Sequence, residues 1–74
     1  MIFYELWDLT SKNLLGTYQT QAHATTIVSE ALAAHGRPYV ENLALGWGDN
    51  EDPSRGAEIA SGSALIDRAQ SRVA

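Results

Sequence analysis

The sequence predicts an α+β two-layer sandwich in the order ββαββα, a four-stranded, mostly antiparallel sheet with two helices on one face. Two aromatic and β-branched runs flank a short polar turn at the start, a helical stripe follows between Thr20 and Gly36, and a second strand–strand–helix succession runs from Val40 onward. With 74 residues the chain is one small domain, residues 1–74. A domain of this size buries only about 60% of the surface its unfolded form exposes, so its core is small.

Residues 2–9 (IFYELWDL) and 14–20 (LLGTYQT) have strand composition, and between them a turn through Ser11 and Lys12 closes on Asn13, a residue that tolerates the left-handed conformation. In that register Tyr4 and Leu6 share a face with Leu14 and Tyr18. Phe3, Trp7 and Leu9 share the other with Leu15. An antiparallel sheet with one wet face alternates apolar with polar, and this hairpin does not, so both sides need cover. One helix layer covers one side only. A second copy of the chain is the simplest cover for the other, with Phe3, Trp7, Leu9, Leu15 and Trp47 as candidate interface residues of a homodimer.

Thr20 is placed as a helix N-cap and Gly36 as the C-terminal stop. Between them Ala24, Ile27, Val28, Ala31, Leu32 and His35 recur at helical spacing. Arg37-Pro38-Tyr39 reads as a connection, because proline disfavours helix at the residue before it. Residues 40–47 form a third strand with Leu43, Leu45 and Trp47 on one side and the small Asn42, Ala44 and Gly46 on the other. Residues 57–60 (AEIA) are a short fourth strand. Ser61-Gly62-Ser63 caps a second helix, whose apolar residues are Leu65, Ile66, Ala69 and Val73.

Composition narrows the function classes. The chain has no cysteine, which excludes disulfides, thiolate metal sites and thiol nucleophiles. Its formal charge is −4, and Lys12, Arg37, Arg55, Arg68 and Arg72 are scattered, which argues against nucleic-acid binding. The start MIFYELWD lacks the basic region of a secretion signal, and no apolar run approaches the ~20 residues that span a bilayer. A cytoplasmic protein without membrane attachment is expected.

The residues 45–53, LGWGDNEDP, hold the densest polar cluster. Counted as a calcium loop from Asp49, the fifth position is Pro53 and the sixth Ser54, where an EF-hand needs an oxygen ligand and a glycine. A solvated hairpin loop is expected instead, with Asp49, Glu51 and Asp52 as a candidate polar partner loop. Gly46 and Gly48 relieve crowding beside Trp47 or permit a bulge. His23 and His35 are twelve residues apart, about 18 Å along one helix, too far to share a metal ion. No nucleophile–base pair or carboxylate pair stands out, and Ser61-Gly62-Ser63 lacks the spacing of a phosphate loop. The residues point to no cofactor, no metal and no enzymatic activity.

Trp7-Asp8-Leu9, the run from Asn13 to Tyr18 and the run from Leu43 to Gly46 resemble motifs in short bacterial proteins of unknown function. The hairpin whose second strand ends in threonine and enters an amphipathic helix is similar in topology to the start of HicB-type antitoxins. Three functions follow as expectations. The first is a non-catalytic interaction or regulatory module, homodimeric through its apolar sheet face. The second is an antitoxin-like small inhibitor of a basic protein partner. The third is a small-ligand binder using space between sheet and helices, which close alanine packing opposes.

Overall fold

The computed structural model of the chain describes residues 1–71. Strands β1 (Ile2–Asp8), β2 (Asn13–Tyr18), β3 (Leu43–Asp49) and β4 (Gly56–Ser61) form one sheet in the order β2-β1-β3-β4, with every neighbouring pair antiparallel. Helix α1 (Gln21–His35) follows the first hairpin, the short α2 (Arg37–Val40) leads into β3, and α3 (Gly62–Ser71) follows the second hairpin. The α+β class and the ββαββα order therefore hold, with α2 as an added turn of helix.

The first hairpin differs from the sequence reading at two points. Its left-handed turn residue is Lys12, with φ 61°, because the strands close on the Asp8–Asn13 pair and place the turn one residue earlier than expected. Asp8 Oδ1 supports that turn by accepting from the Thr10 N–H at 2.9 Å. The second difference is a bulge: Leu6 pairs with Gly16 but Trp7 pairs with Leu14, leaving Leu15 as the extra residue. A one-residue slip exchanges the two faces of a strand. Leu14 consequently lies on the side of Trp7, not with Tyr4 and Leu6 as the sequence suggested.

Helix α1 begins and ends as its caps require. The Thr20 hydroxyl accepts from the His23 N–H at 3.0 Å, and the Gly36 N–H donates to the Leu32 carbonyl at 2.9 Å. Gly36 has φ 83° and ψ 177°, a region open essentially to glycine alone. The expected connection at Arg37-Pro38-Tyr39 is the short helix α2 instead. Proline is tolerated in a first helical turn, where its missing N–H would have no partner. This turn draws Val40 out of the expected third strand and buries it completely, so β3 starts at Leu43.

The core joins Leu6, Leu43, Leu45 and Ala60 of the sheet to Ala24 and Val28 of α1, Val40 of α2, and Leu65, Ile66 and Ala69 of α3. Helix α1 packs on β1 and β2, α3 on β3 and β4, and the two helices pack on each other. Helix α2 packs chiefly on α1 and α3 rather than on the sheet, so of the three helices only α1 and α3 lie directly on the core face. Leu65, Ile66 and Ala69 are buried as their spacing predicted, while Val73 lies outside the described residues. His35, placed in the apolar stripe of α1 by sequence, is exposed and meets the Tyr39 ring at 4.7 Å. It follows the last buried turn, where the chain leaves the core. No helix among the described residues is long and apolar enough to cross a membrane.

Candidate interaction face

The side of the sheet away from the core is set by alternation along β1. Tyr4 and Leu6 join the core, so Phe3, Glu5 and Trp7 point the other way, and all three are only half-buried. Pairing extends these positions into rows. Phe3, Gly48 and Gly56 make one row, Thr17, Glu5, Gly46 and Glu58 the next, and Leu14, Trp7, Ala44 and Ser61 the third.

Strand β3 therefore contributes only Ala44, Gly46 and Gly48 to this face. The result is an open trough of about 600 Å³ with a floor of small residues. Phe3, Glu5 and Trp7 of β1, with Leu9 just beyond it, form one wall, Glu58 belongs to β4, and Pro53 and Arg55 stand at one end. The ring of Phe3 leans over the floor: a Cβ added to Gly48 would meet Phe3 Cζ at 2.6 Å. A second bulge lies opposite Leu45 and Gly46, which pair with Ala60 and Glu58 and leave Ile59 over. The Ala57 carbonyl then lies close to Gly46, 3.2 Å from where a Cβ would stand. The bulge anticipated beside Trp47 is thus in β4, and the glycines of β3 accommodate Phe3 and the β4 backbone.

The structure brings together some of the sequence-derived interface candidates and separates others. Phe3, Trp7 and Leu9 line the trough, and Leu9 is 48% exposed. Leu15 occupies the bulge of edge strand β2 and is 44% exposed. Trp47 also borders the trough, although it pairs with Tyr4 and alternates with Leu45, so its half-buried side chain leaves β3 on the other side from Ala44, Gly46 and Gly48. The Arg55 guanidinium, at the end of the trough, sits 5.7 Å from the centre of the Trp47 ring. Sequence reasoning passed over Glu5 and Glu58. The parity of Glu5 with Phe3 and Trp7 was readable, whereas Glu58 joins them only through the pairing of β3 with β4.

The acidic loop is less solvated than its composition suggested. Asp49 ends β3 and is buried, its Oδ1 accepting from the Met1 ammonium and from the Glu51 N–H, each at 3.0 Å. Arg55 Nη1 donates to Oδ2 at 3.4 Å. The Glu51 N–H first, and then the ammonium, hold the Asp49 carboxyl below its ordinary value against the opposing effect of burial. Asp52 accepts from the Ser54 N–H at 3.2 Å and the Ser54 hydroxyl at 2.6 Å, so it shapes the turn. Glu51 is exposed, 3.5 Å from the Met1 ammonium. Among the described residues no group of three or more His, Asp or Glu side chains is arranged to hold a metal ion.

The chain matches no family model, no curated protein and no solved structure. The function of this face is accordingly read from its own geometry.

Proposed function

We propose that the chain is a non-catalytic protein-interaction module that works through the open face of its sheet. The observation that carries this reading is the set of Phe3, Trp7 and Leu9 around a trough with a small-residue floor on the side of the sheet opposite the core, with Leu14 paired beside Trp7. Large apolar residues grouped around a concavity mark contact surfaces more often than they mark idle surface.

Two macromolecular occupants suit the face. A second copy of the chain gives the homodimer anticipated from the two-sided hairpin. A basic protein gives the inhibitor role implied by the likeness to HicB-type antitoxins, and the net charge of −4 favours such a partner. A small-ligand reading also has an observation behind it, since about 600 Å³ falls in the usual range of ligand sites. The space is on the open face, though, and not between sheet and helices.

The deciding experiment is the solution mass of the chain and of its Trp7→Ser variant by light scattering across a broad dilution series. A dimer that Trp7→Ser dissociates supports self-association through this face. A monomer assigns the face to another partner, and a dimer indifferent to Trp7→Ser and to Phe3→Ser removes the face from consideration.

A further inference from the structure

The open face carries charge as well as apolar surface, and the charge separates its candidate occupants. Pairing sets Glu5, Gly46 and Glu58 in one row across β1, β3 and β4. The two glutamate backbones are then two strand spacings apart, about 9.6 Å. Gly46 puts no side chain between them, so a gap flanked by two carboxylates opens over the middle of the trough. Among the described residues neither Glu5 nor Glu58 is ion-paired. Arg55, at the end of the trough, is engaged by Asp49 and by the Trp47 ring. Two copies meeting face to face over β3 would crowd four carboxylates together, and like charges brought into one interface repel.

We propose that the trough over β3 seats an arginine side chain from an extended segment of a partner protein, its guanidinium between Glu5 and Glu58. This rests on the reading of the open face as an interaction surface and names the chemistry of what binds there. The aliphatic stem lies over half-buried Gly46, beside the Phe3 ring that covers Gly48, and the charged end stays at the open mouth, where its desolvation is small. A guanidinium offers five donors in a planar fork, enough for carboxylates on two sides, and it stacks on aromatic rings such as those of Phe3 and Trp7. Lysine would meet the charge but neither the fork nor the stacking. The chain uses the same combination internally, where Arg55 lies 5.7 Å from the Trp47 ring centre and 3.4 Å from the Asp49 carboxylate.

The test uses the whole chain and a capped pentapeptide with arginine at its centre between valines and threonines, beside a counterpart carrying uncharged citrulline. Binding is followed by nitrogen–proton NMR at the Gly46 and Gly48 amides and the Trp7 indole. The expected result is shifts concentrated on those groups and an affinity for the arginine peptide at least about tenfold above that for citrulline. Glu5→Gln combined with Glu58→Gln is expected to abolish that ratio while leaving the melting temperature unchanged. The proposal is overturned by equal binding of the two peptides, by a ratio that survives the double substitution, or by Gly46 and Gly48 amides that stay unmoved at millimolar peptide. Equal binding on the face would retire the arginine and keep the interaction module. Loss of the module itself is read separately, from the solution mass of Trp7→Ser.

Discussion

The Phe3 ring lies against Gly48, the residue paired with it on β3, so closely that a methyl group at position 48 would stand 2.6 Å from the ring. Aromatic wall and glycine floor are thus one unit. Gly48→Val is expected to push the ring outward and cost about 1 kcal/mol through overpacking. That corresponds to roughly 4–8 °C in Tm for a domain of this size. In a Phe3→Ala background the same substitution should cost less, and a double-mutant cycle by thermal unfolding measures the difference. Additive costs would mean the two residues do not constrain each other.

Leu45 occupies the centre of the sheet with no exposed surface and pairs with Leu6 and Ala60. Leu45→Ala removes atoms from the one core the domain has, at a cost of about 2–5 kcal/mol. Since small domains have only about 5–15 kcal/mol in hand, urea unfolding should show a midpoint shifted strongly downward or no folded baseline. An unchanged midpoint would contradict the assigned core.

Helix α1 depends on its two ends. Thr20→Ala deletes the hydroxyl that accepts from the His23 N–H at 3.0 Å, a loss of about 1 kcal/mol, whereas Thr20→Ser should retain most of it. Gly36→Ala forces a side chain onto φ 83° and ψ 177° and should cost about 1–3 kcal/mol. Chemical denaturation of the three variants gives the ranking, and a silent Gly36→Ala would count against the chain reversal described between α1 and α2.

Asp49 supplies the pH dependence. Its folded-state carboxyl is lowered from 3.8 by the Glu51 N–H first and then by the terminal ammonium. A lowered value means that ionised Asp49 favours the folded state: the contribution is complete above the unfolded value and is lost as pH falls through the folded one. The Tm of the native chain should therefore decline below about pH 4 more steeply than that of Asp49→Asn, which carries no titrating group there. Parallel declines would remove Asp49 from the account.

Local signals were readable wherever a few neighbouring residues settle the matter. Thr20 and Gly36 mark the ends of α1 because a cap is made within three or four residues. The apolar residues on both sides of β1 likewise announced a face that helices leave open. Pro38 was misread because proline both ends helices and starts them, and only the burial of Val40 decides between the two. Trp47 borders the trough together with Trp7, but only the pairing with Tyr4 shows that the two leave their strands on different sides.

By itself, then, the sequence determined the α+β class, the order of strands and helices, and the two-sided apolar hairpin, since propensity, capping and alternation act over short stretches of chain. The tertiary structure alone decided the order β2-β1-β3-β4, the bulges at Leu15 and Ile59, and the row that joins Glu5 to Glu58 across Gly46. The physical reason is that strand register is chosen by the packing of the whole sheet against its helices. A slip of one residue turns a core side chain to the open face, and neither residue of a pair records that choice by its identity.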